Sequence, residues 1–229
     1  MSPTDLAAVV DRARVILLDF DGPVCSIFAQ HPASTVAHEL RRLLVDQGVT
    51  LPADILHEPD PLAVLRFTAT LGRPAVVRQV EEVLTREEVT AARTAEPTPY
   101  GREVIVAAHQ TRRRVAVVSN NSADSVHAYL SGRRLTNYVH PVIGRTPADP
   151  DRMKPNPAPI LDALRELHAD PGHCVLVGDS LSDIEAAHAA GVAAIGYANK
   201  PGKRQRFAAA DAVIDSMADL VAAFAVDEL

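Results

Sequence analysis

Four aspartates stand where apolar runs end. Asp19 and Asp21, in Asp19-Phe20-Asp21-Gly22, follow the run 15–18; Asp179 follows the run 175–177, with Asp183 four residues further on. Carboxylates at i and i+2 face one way only if the chain stops being extended there, and Gly22 permits such a turn. Ser182 and Glu185 have the spacing of a capping box, which starts a helix there and puts Asp183 in its first turn. Ser119-Asn120 follows the run 115–118 and offers a hydroxyl and an amide that can donate to an anion. Lys154, in Met153-Lys154-Pro155-Asn156-Pro157, is stiffly placed at a helix start. Taken singly, most of these have an ordinary alternative. The first pair can be a surface turn. Asp183 can complement a helix dipole. Ser119-Asn120 can cap the helix that starts near Ser122, and Lys154 can be a solvated loop charge. Asp179 precedes its helix and has no such alternative.

The elements that must hold these residues are legible as periodicity. Apolar runs at 15–18, 115–118, 142–143, 175–177, 193–195 and 212–214 read as buried strands. Helical patterns at 104–110, 123–130, 160–167 and 184–190 separate most of them. That alternation predicts an α/β chain: a Rossmann-like, three-layer core whose parallel sheet is covered on both faces. Open parallel sheets bind ligands at the carboxyl ends of their strands, so the polar residues should converge on one crevice. Four carboxylates crowded together raise one another's pKa and oppose folding unless a cation joins them. An all-oxygen set without His or Cys suits a hard cation, and Mg2+ fits a site that keeps waters and a substrate phosphate.

Between the first and second strands the texture changes. Segments 35–47, 62–71 and 75–84 are amphipathic helical patterns, and Thr85-Arg86-Glu87-Glu88 reads as a capping box that opens a further helix. About 70 residues without structure do not fit a compact domain, so 26–96 is expected to be an inserted helical domain on a core formed by 1–25 and 97–229. Its expected hinges are 22–23 and 97–99.

The 229 residues are 47% hydrophobic and 23% charged, ordinary for a globular chain. A net charge of -6 argues against sequence-independent nucleic-acid binding. No run approaches the about 18 apolar residues of a membrane span, and the first 14 residues lack the apolar centre of a signal peptide. Two distant cysteines, Cys25 and Cys174, point to a reducing cytoplasm rather than to a disulfide framework. Cys25 is expected to be a small packing residue, and Cys174 to be buried at a strand start. The stretch 200–206 is expected to be a solvated, basic helix start, with contact to an acidic partner as the alternative.

The four groups, in this order, resemble the motifs of the haloacid dehalogenase-like phosphohydrolases, and the helical insertion is similar to the cap of the phosphoglycolate phosphatase-like subgroup. The resemblance implies that Asp19 is the nucleophile, forming an aspartyl-phosphate, and that Asp21 is the general acid and base. It implies Mg2+ bound by Asp19, the Asp21 backbone carbonyl, Asp179 and Asp183, directly or through water. It also implies a phosphate held by Gly22, Ser119, Asn120 and Lys154. The expected substrate is a small phosphorylated metabolite, the expected state a monomer or homodimer. Pro23 departs from the threonine or valine common after the first-motif glycine, and bears on cap motion. Asp21 disfavours dehalogenation, and the absence of lysine from 26–96 excludes a cap Schiff base. A phosphomutase, or a protein that only binds a phosphorylated ligand, stays open. Selectors of substrate are sought among Ser26, Phe28, Gln30, His31, Arg41, Arg42, Arg66 and Arg73.

Overall fold

Successive residues of a strand face opposite ways, and the first strand puts its side chains into two different cores. Ile16 and Leu18 enter one apolar cluster, with Val9, Val104, Val126 and Phe224. Val15 and Leu17 enter another, with Ile160, Leu164, Ile184 and Phe207. The sheet therefore buries both faces, which is why its strands read as unbroken apolar runs.

A computed structural model describes residues 3–225; Met1, Ser2 and the last four residues of the 97–229 segment lie outside the described residues. The chain runs α1 (Pro3–Arg12), β1 (Val15–Leu18), β2 (Cys25–Ser26), α2 (Ala33–Asp46), α3 (Ala53–Leu56), α4 (Pro61–Thr70), α5 (Pro74–Thr94), β3 (Glu96–Pro97) and α6 (Gly101–Gln110). It continues through β4 (Arg114–Val118), α7 (Ala123–Gly132), β5 (Val142–Ile143), α8 (Ala158–Leu167), β6 (Cys174–Gly178) and α9 (Leu181–Ala189). It ends with β7 (Ala193–Tyr197), α10 (Lys203–Arg206), β8 (Ala212–Ile214) and α11 (Met217–Ala225). The main sheet has the order β5-β4-β1-β6-β7-β8, parallel throughout. Leu18 stands beside Val117 on one side and Val177 on the other, so β1, β4 and β6 end level with one another. The chain is an α/β protein of the expected class.

Residues 33–84 build a third apolar cluster, in which Val36, Leu40 and Leu44 of α2 meet Val64 and Leu65 of α4 and Val80 and Leu84 of α5. The chain leaves the main sheet through β2 and returns through β3, which pair antiparallel with Cys25 beside Pro97 and Ser26 beside Glu96. The expected domain boundaries fall within these two short strands.

Two expectations about helix starts are corrected. Thr85 and Glu88 do not open a new helix: α5 runs unbroken for 21 residues. Its apolar face continues from Val77, Val80 and Leu84 to Ala91 and Ala92, which enter the main core. Glu88 is turned away to other partners. Nor does Ser182 cap α9. Ser180 is the N-cap and forms a reciprocal box with Asp183, two residues earlier than expected. Aspartate can close the box where glutamate was sought.

No helix among the described residues is long and apolar enough to cross a membrane. Both cysteines are free and buried, as expected of packing residues.

Candidate active site

The loop after β1 is anchored by the residue between its carboxylates. Phe20 is fully buried and meets Tyr129 edge to face at 5.4 Å. With Phe20 inward, Asp19 and Asp21 are left to the crevice at the sheet's carboxyl edge. The turn is closed by Gly22 N–H to the Cys25 carbonyl at 2.7 Å, and by Val24 and Cys25 N–H to the Phe20 carbonyl. Pro23 lies between these donors, so the turn's hydrogen bonds are supplied on either side of it. Gly22 has φ +114°, and a Cβ there would lie 2.5 Å from Asp179 Cγ. Glycine is required for both reasons, the backbone angle and the close approach of the second carboxylate motif.

Asp179 leaves the end of β6, and Asp183 reaches the same place from the first turn of α9. Gly178 allows this, because a Cβ would lie 2.4 Å from Asp183 Cβ. Ser180 N–H and Oγ–H donate to Asp183 Oδ2 at 3.0 and 2.6 Å, which fixes the carboxylate. One oxygen each from Asp19, Asp179 and Asp183 lie within 4.8 Å of one another. Asp21's carboxylate is not in that set; its Oδ1 accepts the Ile27 N–H at 3.0 Å.

Lys154 is no solvated loop charge. It is 1% exposed, and Nζ lies 2.9 Å from Asp19 Oδ1, 2.6 Å from Asp183 Oδ1 and 2.8 Å from the Val118 carbonyl. Burial opposes its charge, but Asp183 and Asp19 outweigh that and lift its pKa above the ordinary lysine range. Burial also raises Asp19, to about 7, with Asp183 adding and Lys154 opposing. Asp21, more open at the mouth, is raised by the enclosing walls against the Ile27 N–H.

A second lysine serves Asp179. Lys203 Nζ lies 2.6 Å from both the Asp179 carbonyl and Oδ2, and Asn199 Nδ2 donates to the same Oδ2 at 3.0 Å. In the stretch 200–206, expected to be a solvated helix start, Lys203 is instead turned to Asp179. Neither residue carries a local signal: what places them is the return of the chain after β7. Two ammonium groups thus face three clustered carboxylates, which leaves a negative site of oxygen donors only. That donor set fits a hard divalent cation.

Ser119, at the end of β4, is 1% exposed; its Oγ donates to Asn121 Oδ1 and accepts the Asn121 N–H. Asn120 is clamped to Lys154: its Nδ2 donates to the Lys154 carbonyl at 3.1 Å, and its Oδ1 accepts the Lys154 N–H at 2.8 Å. The Asn120 N–H has no acceptor among the described residues. A cavity of about 450 Å³ joins Asp19, Asp21, Ser119, Asn120, Lys154, Asp179 and Asp183. Its opposite wall comes from the helical segment: Phe28, Ala33, Pro59, Asp60, Pro61, Leu62 and Arg66. Of the eight residues proposed as selectors, Phe28 and Arg66 line this cavity. Arg41 and Arg73 bond the Glu58 and Gln47 carbonyls, His31 pairs with Glu87 at 2.9 Å, and Gln30 donates to Glu96. The Pro59–Leu62 side of the wall was missed, because a turn into a helix carries no chemical signature.

A profile of the haloacid dehalogenase-like hydrolases matches residues 68–197, more than half of the chain. A phosphoglycolate phosphatase from Pectobacterium atrosepticum is 32% identical over 225 residues, covering 93% of each protein. One from Colwellia psychrerythraea is 28% identical over 200 residues, 82% of this chain and 85% of that protein. Among solved structures, CbbY from Rhodobacter sphaeroides in complex with phosphate has a TM-score of 0.66 at 22% identity, covering 93% of this chain and 99% of the other. A hydrolase from Pseudomonas syringae has a TM-score of 0.66 at 17% identity, covering 94% and 99%. The fold, the aligned length and the profile agree, and the chain belongs to the haloacid dehalogenase-like hydrolase family.

Proposed function

We propose that this protein is a Mg2+-dependent phosphatase that hydrolyses a small phosphate monoester through an aspartyl-phosphate on Asp19. The observation that carries this reading is the placement of Asp19, Asp179 and Asp183 within 4.8 Å of one another at the end of a sheet, with Lys154 between Asp19 and Asp183. Names of the relatives support the reaction class.

The residues divide the work. Asp19 Oδ1 is held by the Phe20 N–H at 2.7 Å and by Lys154, so Oδ2 is the oxygen left to attack phosphorus. Asp21 gives a proton to the leaving oxygen as the phosphorus–oxygen bond breaks. It then takes a proton from the water that hydrolyses the acyl phosphate. The Asn120 N–H, and the Ser119 hydroxyl once turned from Asn121 Oδ1, hold the phosphoryl oxygens, with Lys154 keeping Asp19 in place. Asp19, Asp179 and Asp183, with the Asp21 carbonyl, would hold Mg2+, which when bound neutralises charge between carboxylate and phosphate. Gly22 supports the site by letting the first loop lie against Asp179. The segment 26–96 acts as a cap over the core, keeping bulk water from the cavity.

Arg66 is the one cation that the helical segment adds to the cavity wall, and its Nη2 bonds the Lys154 carbonyl at 3.3 Å. It suits a second anionic group on the substrate, such as the carboxylate of phosphoglycolate. Arg66→Ala should raise KM for such a substrate by about tenfold to a hundredfold, with little change for a monoester lacking the second anion. Equal effects on both would remove Arg66 from substrate recognition.

The test of the reaction is phosphate release from a panel of phosphoglycolate, hexose phosphates, nucleotides and amino-sugar phosphates, with Mg2+ and with EDTA. Metal-dependent release from one compound class is expected. Conversion of a hexose phosphate to its isomer without release would replace hydrolysis by a mutase reaction.

A further inference from the structure

Arg145 comes just after β5 and has no part in the proposed reaction. Its side chain is fully buried, and it faces two acids on one helix. Glu81 and Glu88 are seven residues apart on α5, two turns along the same face. Nε donates to Glu81 Oε1 and Oε2 at 2.9 and 3.1 Å, and Nη2 lies 2.8 Å from Oε1. Nη1 donates to Glu88 Oε1 at 2.8 Å and Nη2 to Oε2 at 3.1 Å. The same Nη1 also donates to the Asn120 carbonyl at 2.7 Å, and the Arg145 backbone N–H to the Asn121 carbonyl at 2.8 Å. Glu88, itself fully buried, then accepts the Ser122 N–H at 2.9 Å and Asn121 Nδ2 at 3.2 Å.

A buried cluster of three charges is a poor device for stability alone, since desolvation offsets much of its attraction. Its geometry, however, is specific. The planar guanidinium forks onto both oxygens of each carboxylate and still reaches a carbonyl, five acceptors that the three donors of an ammonium cannot serve. Every end of the network lies on α5 or on 120–122, the stretch that continues from Ser119. We propose that Arg145 is a positioning residue: clamped between Glu81 and Glu88 of α5, it holds the main chain of Asn120 and Asn121, and so ties the anion-holding loop to the helical segment above it. This rests on the reading of Ser119 and Asn120 as the phosphate-holding pair.

Arg145→Lys keeps the charge but loses the fork; Glu88→Gln keeps the shape but leaves one acceptor oxygen where Glu88 offers two to Arg145, Asn121 and Ser122. For each, three quantities are measured with Mg2+ well below the variant's unfolding temperature: the inhibition constant of inorganic phosphate, and kcat and KM for p-nitrophenyl phosphate. Amide hydrogen exchange is followed at Asn121 and Ser122 in the ligand-free protein. The expected result is phosphate binding weaker by about tenfold or more, a fall in kcat, and faster exchange at 121–122 with β1 and β6 still protected. If Arg145→Lys does not fold, Glu88→Gln carries the test. Wild-type phosphate affinity and exchange in a folded variant would overturn the proposal while leaving the phosphatase reading intact. A wild-type protein that neither releases nor binds phosphate would overturn both.

Discussion

Asp19 has to be ionised to attack or to bind a cation, yet burial lifts it to about 7. In the metal-free protein the folded state therefore holds this proton more tightly than the unfolded chain. The stability this gives is present below the ordinary carboxylate range and is lost as pH rises through about 7. Mg2+, held by the ionised carboxylate, would reverse the trend. The gap between melting temperatures in Mg2+ and in EDTA should widen from about pH 5 to about pH 8; a gap independent of pH would remove Asp19 from the metal site. Lys154 gives a second test. Lys154→Met keeps the bulk of the stem but leaves Asp19 and Asp183 buried without their cation. Metal-free stability should fall by about 3–5 kcal/mol, and calorimetry should show Mg2+ restoring more to the variant than to wild type. Equal restoration would mean that ammonium and metal do not share these carboxylates. The four aspartates were legible because each comes after an apolar run or opens a helix. Lys203 and Arg145 were not, because their partners, Asp179 and Glu81 with Glu88, lie far away in sequence and no local pattern marks them.

At the scale of elements, α9 delivers Asp183 through its own cap. Ser180→Ala should cost about 1 kcal/mol of stability as a lost cap. It also frees Asp183 Oδ2 from the Ser180 hydroxyl, so Mg2+ affinity by titration calorimetry should fall as well. A stability loss with unchanged affinity would make the box purely structural. The same helix shows where sequence reading slips: Ser180 and Ser182 both offer a hydroxyl, and the choice between them depends on where β6 ends. In α5 the local signal of Thr85 and Glu88 was overridden by an apolar face that spans two clusters. Strands β2 and β3, two residues each, are too short to show any period, although they stand where the chain leaves and re-enters the main sheet.

Across the whole molecule, the α/β class was legible because a parallel sheet buried on both faces must spell its strands as apolar runs. What the spelling does not contain is the strand order. The order puts β1 between β4 and β6, and so sets the Asp19 loop beside both the Ser119–Asn120 loop and the Asp179 motif. The helical segment then closes the cavity from above, and its wall was readable only at Phe28 and Arg66. The central claim is that Asp19 becomes phosphorylated and that the aspartyl-phosphate is then hydrolysed with the help of Asp21, regenerating the carboxylate. The most direct measurement is mass spectrometry of the Asp19-containing peptide, alongside phosphate release, after incubation with p-nitrophenyl phosphate and Mg2+, whose leaving group needs no acid. Wild type should release phosphate. Asp21→Asn should accumulate one phosphoryl group on Asp19 and release little, and Asp19→Asn should do neither. Sustained release by a folded Asp19→Asn protein, or a phosphoryl group on any other residue, would contradict the account.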